Sequence, residues 1–409
     1  MTMQCRFCGN NLTTEFINLV NSPPSNSFLN KDQLNEPEIF YPLKLFVCDK
    51  CFLVQIDEYK KSDEIFNSDY VYFSSFSQSW LEHSKKYVEM IVKRLGLNGS
   101  SLVVEIASND GYLLQYFKQI GIPCYGIEPA INTALVAKQK GIDVIENFFD
   151  AALATKLADE GKRVDLLLGN NVLAHVPNIN DFVAGLKTLI KDKGAITMEF
   201  PHILNLIKQN QFDTIYHEHF SYFSFYTVNK IFKAHGLNIF DVEELPTHGG
   251  SLRIYATHEE FKIPASDSVK LMLVKEENFG ITKIDTYSSF SEKVEKVKNN
   301  LLEFLILAKK DGKKVAGYGA AAKGNTLLNY CGIKKDLISF VVDKSPYKQG
   351  KFLPASHIPV FNEDFLKKEK PDYILILPWN IKSEIIKQLS YIHIWGGKFV
   401  LAIPYLEIL

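Results

Sequence analysis

Apolar residues along the chain follow two different periods, one typical of helices and one typical of buried strands. Leu81, Val88 and Leu95 recur near helical spacing, with Tyr87 and Ile91 between them, and predict an amphipathic helix. From SLVVEIA onward, short apolar runs alternate with helical patterns such as GYLLQYFKQIG and INTALVAKQKG. The later runs VDLLLGNNV, GAITMEF and SLRIYATH predict further strands. This alternation predicts a doubly wound, mostly parallel α/β sheet.

A second alternating region begins near residue 313. Strands are predicted at KKVAGYG, ISFVVDKS, HIPVF, DYILILPW and KFVLAIP, and helices at AAKGNTLLNYCG and KSEIIKQL. The charged helical stretch EKVEKVKNNLLEFLILAKKDG joins this smaller α/β region to the first one. Nearer the N-terminus, LVNSPPSNSFL is predicted to be a loop and EIFYPLKLFVC a short hairpin. We therefore expect three domains, over residues 1–68, 69–260 and 261–409.

The composition narrows the class of protein. Of the 409 residues, 46% are hydrophobic and 23% are charged, which is typical of a folded globular chain. The 46 basic residues nearly balance the 47 acidic ones, and this balance argues against a nucleic-acid partner. The N-terminus lacks the pattern of a signal peptide, and no stretch of about 20 apolar residues predicts a membrane span. We expect a cytoplasmic, reduced protein without a membrane partner.

Four of the cysteines form two pairs with metal-ligand spacing. Two residues separate Cys5 from Cys8, and two separate Cys48 from Cys51. Each pair can present two thiolates from one turn, so the two pairs together predict a tetrahedral zinc site. Because four thiolates leave no open position on the metal, the predicted zinc ion is structural.

A strand, a turn and a helix are predicted at VEIASNDGYLL. Gly111 tolerates a positive φ, and Asn109 is among the few other residue types that do. Glu128 ends the next predicted strand, where its carboxylate can accept hydrogen bonds from ribose hydroxyls. Nicotinamide enzymes also bind ribose with an acidic residue at the end of this strand. These two features therefore do not decide between a methyltransferase and a dehydrogenase. The register E-x-A-x-N-x-G that begins at Glu105 resembles the cofactor loop of class I methyltransferases, with alanine and asparagine where glycines are usual.

Titratable side chains crowd into the aromatic segment FDTIYHEHFSYF, residues 212–223. Burial among rings moves pKa values toward neutrality, where proton transfer is efficient. A histidine here, with a nearby carboxylate and tyrosine, is a candidate base for an acidic carbon. In an extended chain His217 and His219 share one face while Tyr216 and Glu218 share the other, which leaves open which histidine faces a cleft. Structural histidines and a His-x-His metal pair are the alternatives.

A second glycine turn lies at GYGAAAKGNT, where a predicted strand runs into a helix. The amides at that helix start, together with Lys323, predict a cradle for a pyrophosphate. VDKSPYK follows the next strand and is placed to reach a base, ribose or phosphate. The spacing is not that of a Walker motif, and a purely structural turn is the alternative.

The ordered motifs of the chain closely resemble one family. The paired cysteines, SNDGYLL, GIEPA, NNVLAHVPN, YHEHFSYFS, HGGSLR, GYGAAAKGNTLLNYCGI, VDKSPYKQG and LPWN together resemble the three-domain nucleotide-sugar C-methyltransferases. Well-known members methylate carbon 3 of dTDP-linked 4-keto-deoxysugars. The resemblance covers essentially the whole chain. It implies an N-terminal zinc-binding domain, a central class I methyltransferase domain that binds S-adenosylmethionine, and a C-terminal Rossmann-like domain that holds the sugar nucleotide.

The resemblance also implies site residues, carried over motif by motif. The implied general base is His219, and one of two neighbouring tyrosines is expected in the site. The implied catalytic residues are His219, Glu218, Tyr216, His175 and Tyr70 or Tyr72. The implied cofactor-binding residues are Ser74, Glu105, Ala107, Ser108, Asn109, Gly111, Tyr112, Glu128, Pro129, Asn170 and Asn171. The implied substrate-binding residues are His248, Ser251, Arg253, Gly319, Ala320, Lys323, Gly324, Asn325, Asp343, Lys344, Ser345 and Lys348.

The expected reaction removes a proton beside the sugar ketone and transfers a methyl group in line to the enolate carbon, in the biosynthesis of a branched-chain sugar. The expected partner is the small sugar nucleotide, and the expected assembly is a monomer or a weak homo-oligomer. Two alternatives are a nicotinamide-dependent nucleotide-sugar oxidoreductase, which also explains the two α/β regions and Glu128, and a non-catalytic sugar-nucleotide-binding protein.

Overall fold

The computed structural model describes residues 3–66 and 70–409. The strands are β1 (Thr14–Ser22), β2 (Tyr41–Val47), β3 (Val54–Ile56), β4 (Val103–Ile106), β5 (Cys124–Ile127), β6 (Asp143–Ile145), β7 (Val164–Asn170), β8 (Ile190–Pro201), β9 (Ser221–Tyr222), β10 (Leu237–Leu245), β11 (Ser251–His258), β12 (Val315–Tyr318), β13 (Val341–Val342), β14 (Val360–Phe361), β15 (Tyr373–Ile376), β16 (Lys398–Leu401) and β17 (Glu407–Ile408). The α-helices are α1 (Ser62–Ile65), α2 (Gln78–Leu95), α3 (Leu114–Gln119), α4 (Ile131–Gln139), α5 (Ala151–Asp159), α6 (Ile179–Leu189), α7 (Ile203–Lys208), α8 (Phe225–Ala234), α9 (Asp267–Phe279), α10 (Ile284–Ser288), α11 (Phe290–Lys310), α12 (Ala322–Cys331), α13 (Asp364–Glu369) and α14 (Lys382–Gln388). Across these described residues, none of the helices combines the length and the apolar character that a bilayer crossing requires.

The described residues pack into two compact units, and each consists of several chain segments. The first unit is formed by the described residues of Met1–Thr14, Val47–Leu204 and His219–Lys283. The second unit is formed by Glu15–Phe46, Asn205–Glu218 and Ile284–Leu409. This grouping cuts across the expected domain borders, because residues 15–46 pack with the C-terminal region. The division into three domains at residues 68 and 260 stays a prediction.

The central sheet of the first unit has the strand order β10-β11-β8-β7-β4-β5-β6 among the described residues. β4 pairs in parallel with β5 and with β7, while β11 runs antiparallel to its two neighbours. Every residue of β4 is buried, which explains why three of the four residues in VVEI are apolar instead of alternating with polar ones. Tyr87, Val88 and Ile91 of α2 pack in the core beside this sheet, as their helical spacing predicts, and Leu81 and Leu95 are partly buried against it. The doubly wound sheet expected from the sequence is therefore present.

Parallel pairing brings the carboxyl ends of β4, β5 and β7 to one edge of this sheet. In open α/β sheets, ligands bind outside the carboxyl ends of the strands where the strand order reverses. The order reverses here at β4, because its neighbours β5 and β7 continue the chain in opposite directions across the sheet. The turn that follows β4 therefore lies where a cofactor is expected.

The sheet of the second unit has the order β14-β13-β12-β15-β16-β17 among the described residues. β12 pairs in parallel with β13 and β15, and β17 closes the edge antiparallel to β16. This is the order of a Rossmann sheet, and the GYGAAAKGN turn follows its first strand. The expected second α/β region is confirmed.

Residues 15–46 supply β1 and β2, which lie side by side in the second unit. Phe16 of β1 is buried and stacks on Phe290 of α11, with 5.0 Å between ring centroids. The predicted hairpin at EIFYPLKLFVC is wrong, because Tyr41–Val47 is a single strand. Alternate residues of this strand are buried, which is the pattern of a strand with one face in a core.

Candidate active site

The two cysteine pairs converge on one point in the first unit. The Sγ atoms of Cys5 and Cys51 are 3.5 Å apart, as are those of Cys8 and Cys48, and all four lie within 4.8 Å of one another. Zinc held at about 2.3 Å by four thiolates in a tetrahedron separates the sulfur atoms by about 3.8 Å. The cysteines therefore fit a structural zinc ion, and the zinc prediction is confirmed.

Both cysteine turns close in the same way. The Gly9 amide donates to the Cys5 carbonyl and the Phe52 amide to the Cys48 carbonyl, each over 2.9 Å. Gly9 has φ 71° and Phe52 has φ 59°, so the second turn accepts a strained non-glycine residue where the first uses glycine. Gln55 donates to the Cys5 sulfur over 3.2 Å. Hydrogen bonds of this kind orient a thiolate ligand around its metal.

The turn after β4 has the backbone that a closely approaching cofactor needs. Asn109 and Gly111 have positive φ values of 50° and 74°, as the sequence predicts, and Ala107 adds a third at 56°. A Cβ atom at Gly111 would lie 2.4 Å from Cδ1 of Ile142 and would be strained at a φ of 74°, so glycine is favoured there. Positive φ at alanine and asparagine costs free energy, and such strain clusters at ligand sites.

Glu128 joins this turn to the end of β5. The Asn109 amide donates to its Oε2 over 2.8 Å, and the Ala130 amide donates to its Oε1 over 2.9 Å. The side chain is 3% exposed, and this burial raises the pKa of Glu128 to about 7 against the lowering effect of the two amides. Each carboxylate oxygen keeps a further lone pair for a hydroxyl donor. Glu128 therefore fits the ribose of S-adenosylmethionine.

Further side chains line the same edge. The Ser74 amide donates to Oδ1 of Asn109 over 2.9 Å, and Asn170 at the end of β7 donates to the Tyr112 hydroxyl over 3.3 Å. Glu105 lies under the turn, where burial raises its pKa well above the usual value. The predicted cofactor-binding residues that the structure brings to this edge are Ser74, Glu105, Ala107, Ser108, Asn109, Gly111, Tyr112, Glu128, Pro129, Asn170 and Asn171. Their shared place at the carboxyl ends of β4, β5 and β7 suits a nucleotide-type cofactor, and the role of each residue stays a prediction.

Two histidines from different motifs meet in the first unit. The ring centroids of His175 and His219 are 4.7 Å apart, with the rings at 66°. Tyr222 lies edge-on to His219 at 5.9 Å. On the other side, Phe66 contacts both His175 and Tyr70, at 5.5 Å and 5.3 Å between centroids. The structure thus groups two predicted catalytic histidines with one of the two candidate tyrosines.

His217 has different surroundings from His219. The chain turns at His217 and Glu218, so the face-sharing argument for an extended segment does not apply. His217 belongs to the second unit, where its Nε2 lies 3.3 Å from the Pro42 carbonyl oxygen and its ring is edge-on to Tyr41 at 5.8 Å. These contacts favour a structural role for His217 and leave His219 as the candidate base.

Tyr216 and Glu218 also lie in the second unit. Asn26 donates from Nδ2 to Oε1 of Glu218 over 2.6 Å. Asn26 belongs to the SPPSNSFL loop, whose Ser25 carbonyl accepts a hydrogen bond from Asn325 over 2.6 Å. The sequence predicts a loop over LVNSPPSNSFL, but its first four residues are the end of β1, because two of these four side chains are buried, as in a strand with one face in a core. The sequence gives no sign that the rest of this segment contacts Glu218 or α12.

The glycine turn of the second unit is held by residues predicted to bind substrate. Gly319 has φ 88°, and a Cβ atom there would lie 2.5 Å from Cδ of Pro378. The Ala320 amide donates to Asp343 Oδ2 over 2.6 Å, and Lys348 donates to the Ala320 carbonyl over 2.8 Å. Asp343 also accepts from the Ser345 amide over 2.8 Å. The predicted residues of this turn that the structure brings together are Gly319, Ala320, Asp343, Ser345 and Lys348.

Lys323 follows that turn and is held in a defined position. Its Nζ donates to Asn380 Oδ1 over 2.7 Å and lies 4.7 Å from the centroid of the Trp379 ring. The Trp379 indole donates to Oδ2 of Asp213 over 2.7 Å. Burial raises the pKa of Asp213 to about 7, while the charge of Lys323 lowers it. Sequence reasoning missed Asp213 and Asn380, although LPWN was among the recognised motifs. Among the other predicted residues here, Gly324 packs against Leu377 and Lys344 is exposed.

His248 lies at the cofactor edge of the first unit. It has φ 52°, and its Nε2 is 2.8 Å from Nδ2 of Asn171. Its ring is edge-on to Trp80 at 4.9 Å, and Trp80 stacks on Tyr112 at 5.9 Å. His248 therefore neighbours residues predicted to bind the cofactor, and its assignment to substrate binding stays a prediction.

Arg253 pairs inside the same unit. Its Nη2 lies 2.6 Å from Oε2 of Glu199, which also lies 2.8 Å from Nε2 of His83. Burial alone would raise the pKa of Glu199, but the hydrogen bond from His83 and the charge of Arg253 lower it to about 2. Ser251 donates its hydroxyl to the Thr247 carbonyl over 3.0 Å. Arg253 and Ser251 thus contact the protein's own groups, and sequence reasoning missed Glu199 and His83.

Three family profiles match the chain in succession. A zinc binding domain matches residues 5–66, and a methyltransferase domain matches residues 80–242. A C-methyltransferase C-terminal domain matches residues 246–404.

Individual proteins resemble the chain over different lengths. The C-methyltransferase NovU of Streptomyces niveus is 35% identical over 401 residues, which are 98% of this chain and 95% of NovU. A ubiquinone biosynthesis O-methyltransferase of Bartonella quintana (strain Toulouse) is 23% identical and covers 51% of this chain and 72% of its own. The solved magnesium protoporphyrin IX methyltransferase of Synechocystis PCC 6803 with bound SAM is 16% identical, covers 50% of this chain and 100% of its own, and has a TM-score of 0.35.

Proposed function

Because this chain belongs to the family of zinc-containing, S-adenosylmethionine-dependent C-methyltransferases, we propose that it methylates carbon 3 of a nucleotide-linked 4-keto-deoxysugar. Its activity as a C-methyltransferase follows from the family. The proposal concerns the acceptor and the residues that act on it. The observation that carries it is the His175–His219 pair, 4.7 Å between rings, in the same unit as the cofactor turn.

A carbon acceptor must be activated before it can attack a methyl group. A ketone acidifies the neighbouring C–H bond, because its oxygen carries the negative charge that develops when the proton leaves. S-adenosylmethionine, held by Glu128 and the turn residues, supplies an electrophilic methyl group when bound. The protein must therefore supply a base at the acidic carbon and hydrogen-bond donors at the ketone oxygen.

His219 is the proposed base. A neutral imidazole nitrogen takes the proton from carbon 3, the C–H electron pair moves into the carbon–carbon bond, and the oxygen becomes an enolate. Histidine suits this step because its ordinary pKa lies close to neutral pH. His175, beside it, and Tyr70, beyond Phe66, are the proposed donors and orienting groups. Glu218 directly precedes the base and accepts a hydrogen bond from Asn26, and Tyr216 lies three residues before the base; both remain proposed site residues.

The second unit is the proposed holder of the sugar nucleotide. Lys323 provides a fixed cation at the start of α12, next to the amides of the glycine turn. Diphosphates bind at such helix starts, where amides and the helix dipole favour negative charge. The domain profile named for C-methyltransferases covers residues 246–404, which include Lys323 and the glycine turn, and this supports a role specific to the family.

The test combines a substrate panel with single variants. A panel of 4-keto nucleotide sugars, incubated with an isotope-labelled methyl donor, is expected to give one mass-shifted product with the label on carbon 3. With S-adenosylhomocysteine in place of the donor, the carbon 3 hydrogen is expected to exchange with deuterated water. His219→Asn is expected to reduce both exchange and turnover by about 10²- to 10⁴-fold, the range of general base catalysis.

The matched control is His393→Asn, which changes an exposed histidine of the second unit and is expected to leave both rates unchanged. Glu218→Gln tests the neighbouring carboxylate in the same two assays. If His219→Asn keeps near wild-type exchange and turnover while both ligands still bind, the proposed base is wrong. If no keto sugar of the panel is methylated, the proposed acceptor class is wrong.

A further inference from the structure

Arg6, which lies between the first two cysteines, reaches out of the zinc turn. Its Nη1 donates to the Pro177 carbonyl over 2.9 Å, and its Nη2 donates to the Ile56 carbonyl. The guanidinium carbon lies 5.5 Å from the centroid of the Phe220 ring. One side chain therefore contacts three separate segments of the first unit.

The backbone of Arg6 is fixed from both sides. Its amide donates to Oε1 of Gln55 over 2.9 Å, and the same glutamine donates to the Cys5 sulfur. Asn180, at the start of α6, donates to the carbonyls of Arg6 and Phe7 over 3.2 Å and 2.9 Å. The cysteine turn and α6 together hold the guanidinium where it is.

Two of the three segments that Arg6 contacts carry the two histidines. Pro177 lies two residues after His175, and Phe220 directly follows His219. The two segments are also joined by the Phe220 amide, which donates to the Ala174 carbonyl over 2.7 Å. A shift of either segment would change the 4.7 Å distance between the histidine rings.

Arginine suits this position better than any other residue. Its planar guanidinium offers several N–H donors in one plane, which lets it bind two carbonyls at once. Its flat face packs on an aromatic ring. A lysine ammonium carries the charge but lacks both the fork and the flat face.

We propose that Arg6 is a positioning residue of the active site, through which the zinc turn fixes the His175 and His219 segments relative to each other. The zinc-binding turn then acts on catalysis as well as on folding. The kinetic part of this inference rests on the proposed function, while its structural part does not.

The experiment uses the full chain with Arg6→Met and Arg6→Lys. The reporter that needs no substrate is hydrogen exchange of the Phe220 amide, which is expected to become at least about tenfold faster in Arg6→Met. Turnover is expected to fall about 10- to 100-fold, because small displacements of catalytic groups have effects of this size. The Phe220 exchange rate and the turnover of Arg6→Lys are expected to lie between those of Arg6→Met and the wild type. The zinc content and the affinity for S-adenosylhomocysteine are expected to stay within about twofold of wild type, because the four thiolates and the cofactor edge are untouched.

The matched control is Arg163→Met, because Arg163 also donates to a backbone carbonyl of the first unit, that of Thr188, over 2.7 Å. It is expected to change neither Phe220 exchange nor turnover. Unchanged Phe220 exchange in both Arg6 variants would overturn the inference, as would faster exchange with unchanged turnover. Loss of zinc in both variants would also overturn it, because the effect would then run through the metal. An error in the assignment of His219 as the base would be detected separately, by unchanged exchange and turnover in His219→Asn.

Discussion

Tyr70 and Tyr72 lie two residues apart but have different surroundings. The Tyr70 ring packs on Phe66, which packs on His175. The Tyr72 side chain is exposed, and its carbonyl accepts a hydrogen bond from Asn109 over 3.1 Å. The sequence leaves the choice between the two open, because both belong to the same aromatic loop. The structure gives Tyr70 the contacts of a residue near the histidines.

Tyr70→Phe is expected to reduce turnover by about tenfold or more, because it removes a hydroxyl that can donate to the enolate oxygen or orient the base. Tyr72→Phe is the matched control and is expected to change turnover less than about twofold, since its side chain is exposed. Turnover with the preferred keto sugar is the measurement. Equal losses in both variants, or a loss confined to Tyr72→Phe, would contradict the assignment.

Glu128 predicts a pH dependence of cofactor binding. Burial raises its pKa to about 7, and the ionised carboxylate accepts hydrogen bonds from ribose hydroxyls more strongly than the protonated group, which has one oxygen as a donor. Affinity for S-adenosylhomocysteine should therefore be full above this pKa and fall as the pH drops below it. It should be up to about tenfold lower at about pH 6 than at about pH 8, because one unit below the pKa only about a tenth of the carboxyl groups are ionised. Calorimetry at constant ionic strength measures this affinity at each pH.

The pH dependence of protein stability that Glu128 causes has the opposite direction from that of cofactor affinity. A carboxyl group whose pKa is higher in the folded than in the unfolded chain stabilises the fold below its unfolded pKa, and this contribution is lost as the pH rises toward 7. Glu128→Gln cannot ionise, so its cofactor affinity should be lower and independent of pH in this range. A slope in Glu128→Gln equal to that of the wild type would assign the titration to another group.

How well a residue can be predicted from sequence depends on how local its partners are. The positive φ values of Asn109 and Gly111 follow from one short turn and are confirmed. The four cysteines follow from spacing alone. Arg6 could not be predicted, because its carbonyl partners lie about 50 and 170 residues away and carbonyls leave no trace in a sequence.

At the scale of elements, apolar periodicity predicts the helices and strands whose position depends on burying side chains in one core. α2 begins and ends close to the predicted helix, and the buried strands β4, β7 and β15 lie within their apolar runs. The predicted hairpin fails because a strand with one buried face and a hairpin arm share the same alternating pattern. Only the pairing partner separates the two, and pairing is not a local property.

The glycine turn after β12 resembles the cofactor-binding turn of a dinucleotide fold. Its strand order and G-x-G-x-x-A spacing are those of a dinucleotide fold, with Asp343 at the end of the second strand. In a nicotinamide enzyme that acid binds a ribose hydroxyl. Here the carboxylate of Asp343 accepts the amides of Ala320 and Ser345 and closes the turn on itself. Glu128 also accepts two amides, so this arrangement alone does not distinguish a nicotinamide site from the site of another nucleotide.

At the scale of the whole molecule, chain order and packing do not coincide. The zinc turns belong to the first unit, while residues 15–46 between them pack in the second. The expected N-terminal domain of residues 1–68 follows from the span between the cysteine pairs, because a sequence shows where the ligands stand and not where the intervening chain packs. The Phe16 side chain shows this most directly, since it lies between Phe290 and Tyr287 of the second unit.

Phe16→Ala should therefore destabilise the second unit without affecting the metal. Phe16 is 1% exposed, and truncation of a fully buried phenylalanine costs about 3–5 kcal/mol of unfolding free energy. The measurement is urea unfolding followed by amide exchange of α11 peptides, with zinc content measured in parallel and expected to stay at about one ion per chain. Phe40→Ala is the matched control, because Phe40 belongs to the same segment but is 44% exposed, and should change the unfolding free energy by about 0.5 kcal/mol or less. If Phe16→Ala instead released zinc and left the α11 exchange unchanged, residues 15–46 would belong with the metal-binding turns.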